Sequence, residues 1–287
     1  MAYDPFAGGG HLLEVAKSFG LAPVGLDIDE TFSWQKNDSL VAIPPVQDSI
    51  IITNPPYLAK QSASRVGIDL SAYFSKSVYD DVYLIALDRM IEASKYVVAI
   101  IPESFINSNY VNKHFLHSIT ILEENHFADT ENPVCVACFD GIAKPFSQVQ
   151  VYKSDVFVNS LEAIYQMRLV PLKNVRISFN DLNGWLGLRA VDNTDDKTFI
   201  HFDFKENIKY DWAHKIKCSS RHLTLIDVDV PVEKRADFIC RANELLNNLR
   251  RQSADVLLTP FKGNTKSGMR RRRLDFSLAR AIIEKCV

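Results

Sequence analysis

The chain has 287 residues, of which 47% are hydrophobic and 24% charged, with a formal net charge of −2. This is the composition of a soluble globular protein, long enough for a sizeable core and one or two domains. No apolar run reaches membrane-spanning length and the N-terminus does not read as a signal peptide, so a cytoplasmic setting is expected.

Residues 3–10 read Tyr-Asp-Pro-Phe-Ala-Gly-Gly-Gly. Asp4-Pro5-Phe6 closes a strand, and the glycines form a tight turn in which backbone can approach a ligand without a Cβ in the way. Leu12, Leu13, Val15, Ala16 and Phe19 follow with helical spacing, so free N–H groups of a helix start sit behind the turn. The next strand is Pro23–Asp29. It ends in Asp27, 17 residues past Gly10, about where a doubly wound fold grips ribose hydroxyls, with Asp29 as the competing candidate. Asn37-Asp38-Ser39-Leu40 is either a third ligand contact through Asp38 or an ordinary turn or N-cap.

Residues 48–53 form the next strand, whose end is Ile50-Ile51-Ile52-Thr53, and Asn54-Pro55-Pro56-Tyr57 stops it. Neither proline can donate a ladder hydrogen bond, and each holds the residue before it extended. The outcome is a stiff loop at a strand's carboxyl end, presenting an amide, a carbonyl and an aromatic ring. An exocyclic amine on a purine is a poor nucleophile because its lone pair is delocalised. The Asn54 side-chain oxygen and the Pro55 carbonyl can form an acceptor pair for its two N–H protons, and Tyr57 can stack on the base.

Asn-Pro-Pro-Tyr after an apolar strand resembles the catalytic motif of S-adenosylmethionine-dependent amino-methyltransferases, chiefly the N6-adenine DNA methyltransferases. Asp-Pro-Phe-Ala-Gly-Gly-Gly resembles their cofactor loop. The motif order, with the recognition region C-terminal, is similar to the γ-type arrangement of restriction-modification enzymes. The resemblance covers roughly the first half of the chain. It implies S-adenosylmethionine as cofactor, held by Asp4 (facing the ammonium), Phe6, Ala7, Gly8, Gly10, Asp27 (ribose), Ile28 (against the adenine ring) and Asp38 (adenine amine). It implies Asn54, Pro55, Pro56 and Tyr57 as the catalytic loop, double-stranded DNA as substrate, and a cognate restriction endonuclease as partner, with no metal and no membrane. Many members carry a helix and a further cofactor motif ahead of the first strand. Here Met1-Ala2-Tyr3 precede Asp4, which implies either a missing N-terminal piece or another segment closing the methionine pocket.

Residues 58–69 read as a mobile loop, with Lys60 and Arg65 placed either to contact the target backbone or simply to be solvated. Tyr79–Ser94 has helical periodicity, with Val82, Ile85, Ala86 and Met90 on the sheet-facing side. Tyr96–Pro102 is a buried strand, and Ile119–Glu123 with Val134–Phe139 can close the sheet as an antiparallel pair. The expected fold is α/β: a Rossmann-like class I methyltransferase sheet over residues 1–150, then a target-recognition region over 151–287.

The five cysteines lie at 135, 138, 218, 240 and 286. An odd count without a secretion signal implies reduced thiols. Cys135 and Cys138 sit in an apolar strand-like run with no second pair at ligand spacing, and read as structural rather than zinc-binding. Further on, Trp185 and Trp212 read as core residues, Leu223–Val230 as a strand and Glu233–Arg251 as a helix that ends basic.

From Arg250 to Lys285 there are ten Lys or Arg against three acids. Lys262, Lys266 and the run Arg270-Arg271-Arg272-Arg273 lie among Gly, Asn and Thr, and read as a loop reaching out to nucleic-acid phosphates. Rival readings are methylation of RNA adenine or of a protein glutamine, a DNA-binding module without turnover, and a nucleotide-dependent dehydrogenase. The dehydrogenase lacks a convincing Gly-x-Gly-x-x-Gly and leaves Asn-Pro-Pro-Tyr unexplained.

Overall fold

The computed structural model describes residues 1–123, 133–215 and 222–287, so Cys218 lies outside the described residues. The chain divides into two units, one of residues 1–122 and 134–162, the other of 123–133 and 163–287.

The first unit is built on a nine-stranded sheet. In chain order its elements are β1 (Ala2–Asp4), α1 (His11–Ser18), β2 (Pro23–Asp27), β3 (Gln35–Lys36), β4 (Ile50–Thr53), α2 (Lys60–Val66), α3 (Ser71–Phe74), α4 (Val82–Ala93), β5 (Val97–Pro102), β6 (Leu116–Ile121), β7 (Val134–Phe139), β8 (Gln150–Lys153) and β9 (Val156–Ser160). The strand order is β3-β2-β1-β4-β5-β7-β6-β8-β9. β1 to β5 run parallel, so their carboxyl ends share one edge. β7 is antiparallel to both neighbours, the closing pair expected from sequence. This is the Rossmann-like α/β sheet, with strand order reversing beside β1, where such sheets form a crevice.

Local chemistry sets these boundaries. Pro5 ends β1 and Pro55 ends β4, because neither can donate to a ladder. α4 buries Val82, Ile85, Ala86 and Met90, the face its periodicity predicts, and also Tyr83, Leu84 and Leu87, so burial extends beyond a single stripe. The stretch 58–69, read as a mobile loop, instead carries helix α2, with the short helix α3 directly after it. Leu58, Leu70, Tyr73 and Phe74 pack with Val82 and Ile85 in one apolar cluster, and that burial holds α2 and α3 in place. The sheet also continues past residue 150 through β9, because β8 pairs parallel with β6. The first unit therefore extends to Glu162.

α5 (Leu161–Gln166) leads out of the first unit. The second unit contains β10 (Ile177–Phe179), β11 (Leu186–Arg189), β12 (His201–Phe204), α6 (Trp212–Lys215), β13 (Leu223–Val228), α7 (Arg235–Gln252), β14 (Thr259–Asn264), β15 (Arg270–Arg273) and α8 (Phe276–Cys286). β10-β13-β11-β12 is an antiparallel sheet and β14-β15 a hairpin. Trp185 is buried, its indole N–H donating to the Val228 carbonyl at 2.9 Å. Asn243 on α7 exchanges two 2.9 Å hydrogen bonds with the Phe202 backbone, which covers the otherwise unpaired edge of β12.

The arginine run corrects the expectation of a protruding loop. It is strand β15, and its alternation turns Arg270 and Arg272 inward, 5% and 0% exposed, while Arg271 and Arg273 are half-buried. Arg250 is likewise used internally. It forms a two-toothed pair with buried Asp192 at 2.9 Å and bonds Asp255 at 2.7 Å, and Asp192 also accepts from the Arg272 N–H at 3.1 Å. Arg270 and Arg272 are thus core residues of this unit and not a surface for phosphates.

Cys135 is buried and Cys138 half-buried in β7. Three residues apart on a strand, they point to opposite faces and cannot converge on one ion. Burial pushes both thiols up.

Candidate functional site

The carboxyl ends of β1, β2 and β4 bring together residues far apart in sequence. Asp4, at the end of β1, is 2% exposed. Its Oδ1 accepts from the Thr53 hydroxyl at 2.6 Å and from the Phe6 N–H at 3.0 Å. Burial pushes its carboxyl up to about 6, the nearby Asp27 charge adds to the rise, and the Thr53 and Phe6 hydrogen bonds oppose it. Among the described residues Asp4 forms no ion pair. A buried carboxylate held by two donors, with capacity left to accept, suits a cationic group.

The glycine turn follows. Asp27 Oδ2 accepts from the Gly8 N–H at 2.7 Å and Oδ1 from the Asp29 N–H at 2.9 Å. Asp27 therefore clamps the turn onto β2, using two of the roughly four acceptor positions of a carboxylate. Asp29 binds its own loop, accepting from Thr31, and is not drawn into the turn. Ile28 projects, 57% exposed. Ala7 is a core residue: its side chain joins Ala2, Leu13 and Ala16, and its N–H donates to Leu26.

The glycines have different reasons. Gly8 has φ +49°, and a Cβ there would meet nothing within 4 Å. It is the position open to a ligand. Gly10 has φ +79°, and a Cβ there would lie 2.6 Å from the Trp34 ring. Gly25, inside β2, would put a Cβ 2.5 Å from the same ring. The indole occupies the space of two missing side chains and donates its N–H to the Gly8 carbonyl at 2.8 Å. Gly10 thus admits a protein side chain and not a cofactor. Trp34 escaped the sequence reading, although a glycine in a strand interior signals a close approach.

Past β4 lies the proline loop. Asn54 and Tyr57 are half-buried, Pro55 buried and Pro56 exposed. The Tyr57 hydroxyl sits between the Ile100 carbonyl, at 2.7 Å, and Asn54 Oδ1, which it also contacts. With one proton, the hydroxyl donates to one of these two oxygens at a time, and it places the Asn54 amide beside β5. Burial pushes its phenol well above the ordinary value. Thr53, fully buried, joins this loop to Asp4; its polar side chain at an inward strand position was the available sequence signal.

Asp38 lines a cavity of about 490 Å³ together with Leu40, Val41, Tyr73, Lys76 and Ile85. Its carboxylate accepts from the Leu40 N–H at 3.2 Å and the Tyr73 hydroxyl at 2.8 Å, which raises the Tyr73 phenol. Lys60 and Arg65 are exposed on α2, with Lys60 Nζ 3.8 Å from Asp80. Lys262 and Lys266 are exposed in the second unit.

No protein-family model matches the chain, and no curated protein matches it. Solved structures do. A protein from Listeria monocytogenes described as a class I S-adenosylmethionine-dependent methyltransferase is 13% identical, over 53% of this chain and 58% of its own, with a TM-score of 0.38. The type I restriction-modification methyltransferase subunit from Streptococcus thermophilus is 16% identical over 57% and 46%, with a TM-score of 0.40. The M protein of the type I restriction enzyme EcoKI is 14% identical over 89% and 67%, with a TM-score of 0.37. The chain spans about half the length of the first two.

Proposed function

We propose that this chain transfers a methyl group from S-adenosylmethionine to the N6 amine of adenine in double-stranded DNA. The observation that carries the reading is the 2.6 Å hydrogen bond between Thr53 and Asp4. It ties the carboxylate beside the glycine turn to the residue immediately before Asn54, so a cofactor site and an amine-polarising loop share one edge of the sheet.

The residues present fit such a cofactor. Asp4 is a buried acceptor for the methionine ammonium. Gly8 leaves space for backbone approach, Asp27 retains acceptor capacity for ribose hydroxyls, and Ile28 offers an exposed apolar side chain to the adenine. Asp38, on a partly apolar cavity wall, is the carboxylate for the adenine amine. Bound there, the cofactor supplies an electrophilic methyl on a sulfonium, a good leaving group. The protein's task is then to position and polarise the acceptor. Asn54 Oδ1 and the Pro55 carbonyl accept the two N–H protons of the target amine, favouring a pyramidal nitrogen with an available lone pair. The prolines keep those acceptors from reorganising. Tyr57 holds Asn54 through its hydroxyl while its ring lies against the base. Duplex DNA has to extrude the adenine, since N6 inside the stack is out of reach. The second unit is the target-recognition region in this reading, and a restriction endonuclease of the same system is the partner it implies.

The test offers methyl-labelled S-adenosylmethionine with DNA, RNA and protein acceptors in parallel. Label entering DNA with the native chain, and not with Asn54→Ala, is the expected result. Label entering only RNA or protein would replace the substrate class, and undiminished transfer by Asn54→Ala would overturn the mechanism.

A further inference from the structure

The second unit gathers positive charge where the sequence does not advertise it. The Ala190 N–H donates to the His222 carbonyl at 2.7 Å, and the Leu274 N–H donates to the Ala190 carbonyl at 2.8 Å. Val191 bridges Arg273. This backbone stitching sets Arg189 at the end of β11, His222 just ahead of β13 and Arg273 at the end of β15 side by side. Arg271 lies over the Phe261 ring at 5.1 Å and donates from Nε to the Asp192 carbonyl at 2.8 Å. The His222 ring meets Phe261 edge-on at 5.3 Å. Three half-buried guanidinium groups, an exposed imidazole and an aromatic ring therefore share one patch.

Among the described residues none of Arg189, Arg271 and Arg273 forms an ion pair. The buried Nε atoms of Arg189 and Arg273 have no hydrogen-bond partner among the described residues. Partial burial and the charges of Arg271, Arg189 and Arg273 together hold the imidazole of His222 below its ordinary value. Half-buried Arg250, in the same unit, has carboxylate partners in Asp192 and Asp255. Like charges assembled, partly desolvated and left without a counter-charge are costly alone, and an anion repays the cost. Guanidinium forks match phosphate oxygens, and Phe261 can stack on a sugar or base edge.

We propose that Arg189, His222, Phe261, Arg271 and Arg273 form a phosphate-binding site that grips the nucleic-acid backbone. The choice of nucleic acid over other anions rests on the function proposed above. Arg270 and Arg272, buried on the other side of β15, take no part.

The test measures affinity for a short DNA duplex against salt, without cofactor. Arg189→Gln and Arg273→Gln should each lower the slope of log affinity against log salt by about 1 and weaken binding several-fold, uniformly across sequences. Arg189→Lys and Arg273→Lys keep the charge and should keep the slope, which separates lost contact from lost fold. Arg251→Gln, on the exposed end of α7, should change nothing. His222→Gln should remove the strengthening of binding that the native chain shows as pH falls below the ordinary histidine range, where the imidazole becomes charged. Native slope and affinity in both Gln variants, or no DNA binding by the native chain, would overturn the site. So would Gln variants that lose affinity for polyglutamate and keep it for DNA, which would mark a surface for an acidic protein. DNA methylation with unchanged Gln slopes would sink this site alone. DNA gripped through it with no methyl transfer would sink only the proposed activity.

Discussion

Asp4→Asn separates the cost of a buried charge from its use. In the fold the Asp4 carboxyl lies at about 6 instead of 3.8, mainly because of burial. A raised carboxyl means that the folded protein holds its proton more tightly than the unfolded chain does. Its contribution to stability is therefore lost as pH rises between those two values. About two pK units at 1.36 kcal/mol each amount to roughly 3 kcal/mol of destabilisation at pH 8, falling to about 1 kcal/mol at pH 4.5. Asparagine removes the charge. Both donors meet the same oxygen of Asp4, so the amide carbonyl can still accept from Thr53 and Phe6. Urea unfolding without cofactor should show Asp4→Asn more stable than the native chain by up to about 3 kcal/mol at pH 8, with the gain shrinking toward pH 4.5. Calorimetric titration with S-adenosylmethionine should show the same variant binding much more weakly. A variant equally or less stable at pH 8, with no pH dependence in the difference, would refute the claim that Asp4 is a charge buried for a ligand.

The glycine turn should respond asymmetrically. Gly10→Ala combines a left-handed backbone with a Cβ 2.6 Å from Trp34, and should cost roughly 2–4 kcal/mol in urea unfolding. Gly8→Ala meets no atom within 4 Å, and should cost only about 1 kcal/mol while weakening cofactor binding. Equal stability losses would remove the distinction between them. Tyr57→Phe keeps the ring but loses the hydroxyl clamp on Asn54, so kcat should fall about tenfold with cofactor affinity and DNA KM near native. Unchanged turnover would leave only the stacking role.

The order of the first unit was legible because its strands are short apolar runs, several of them cut off by proline or aspartate at the carboxyl edge of the sheet. Asp4, Asp27 and Asn54 could be picked out for that reason. Contacts between elements were not legible. That Trp34 fills the space beside Gly10 and Gly25, or that Thr53 donates to Asp4 across 49 positions, depends on which strands become neighbours. The arginine run shows the opposite hazard. Read as a list of charges it looks solvated, but on a strand alternate residues must turn inward. Arg272 is fully buried, while the half-buried Arg271 and Arg273 lie near Arg189 and His222, which are far away in sequence. Residues 58–69 were read from polarity as mobile, yet most of them form α2, and Leu58 and the flanking Leu70 and Phe74 pack into one apolar cluster.

The most direct measurement is nucleoside mass spectrometry of unmethylated genomic DNA after incubation with the purified chain and S-adenosylmethionine. N6-methyladenine that appears with the native chain and disappears with Asn54→Ala is the predicted result. Cofactor binding without any methylated base, or a methylated base that persists in Asn54→Ala, would contradict it.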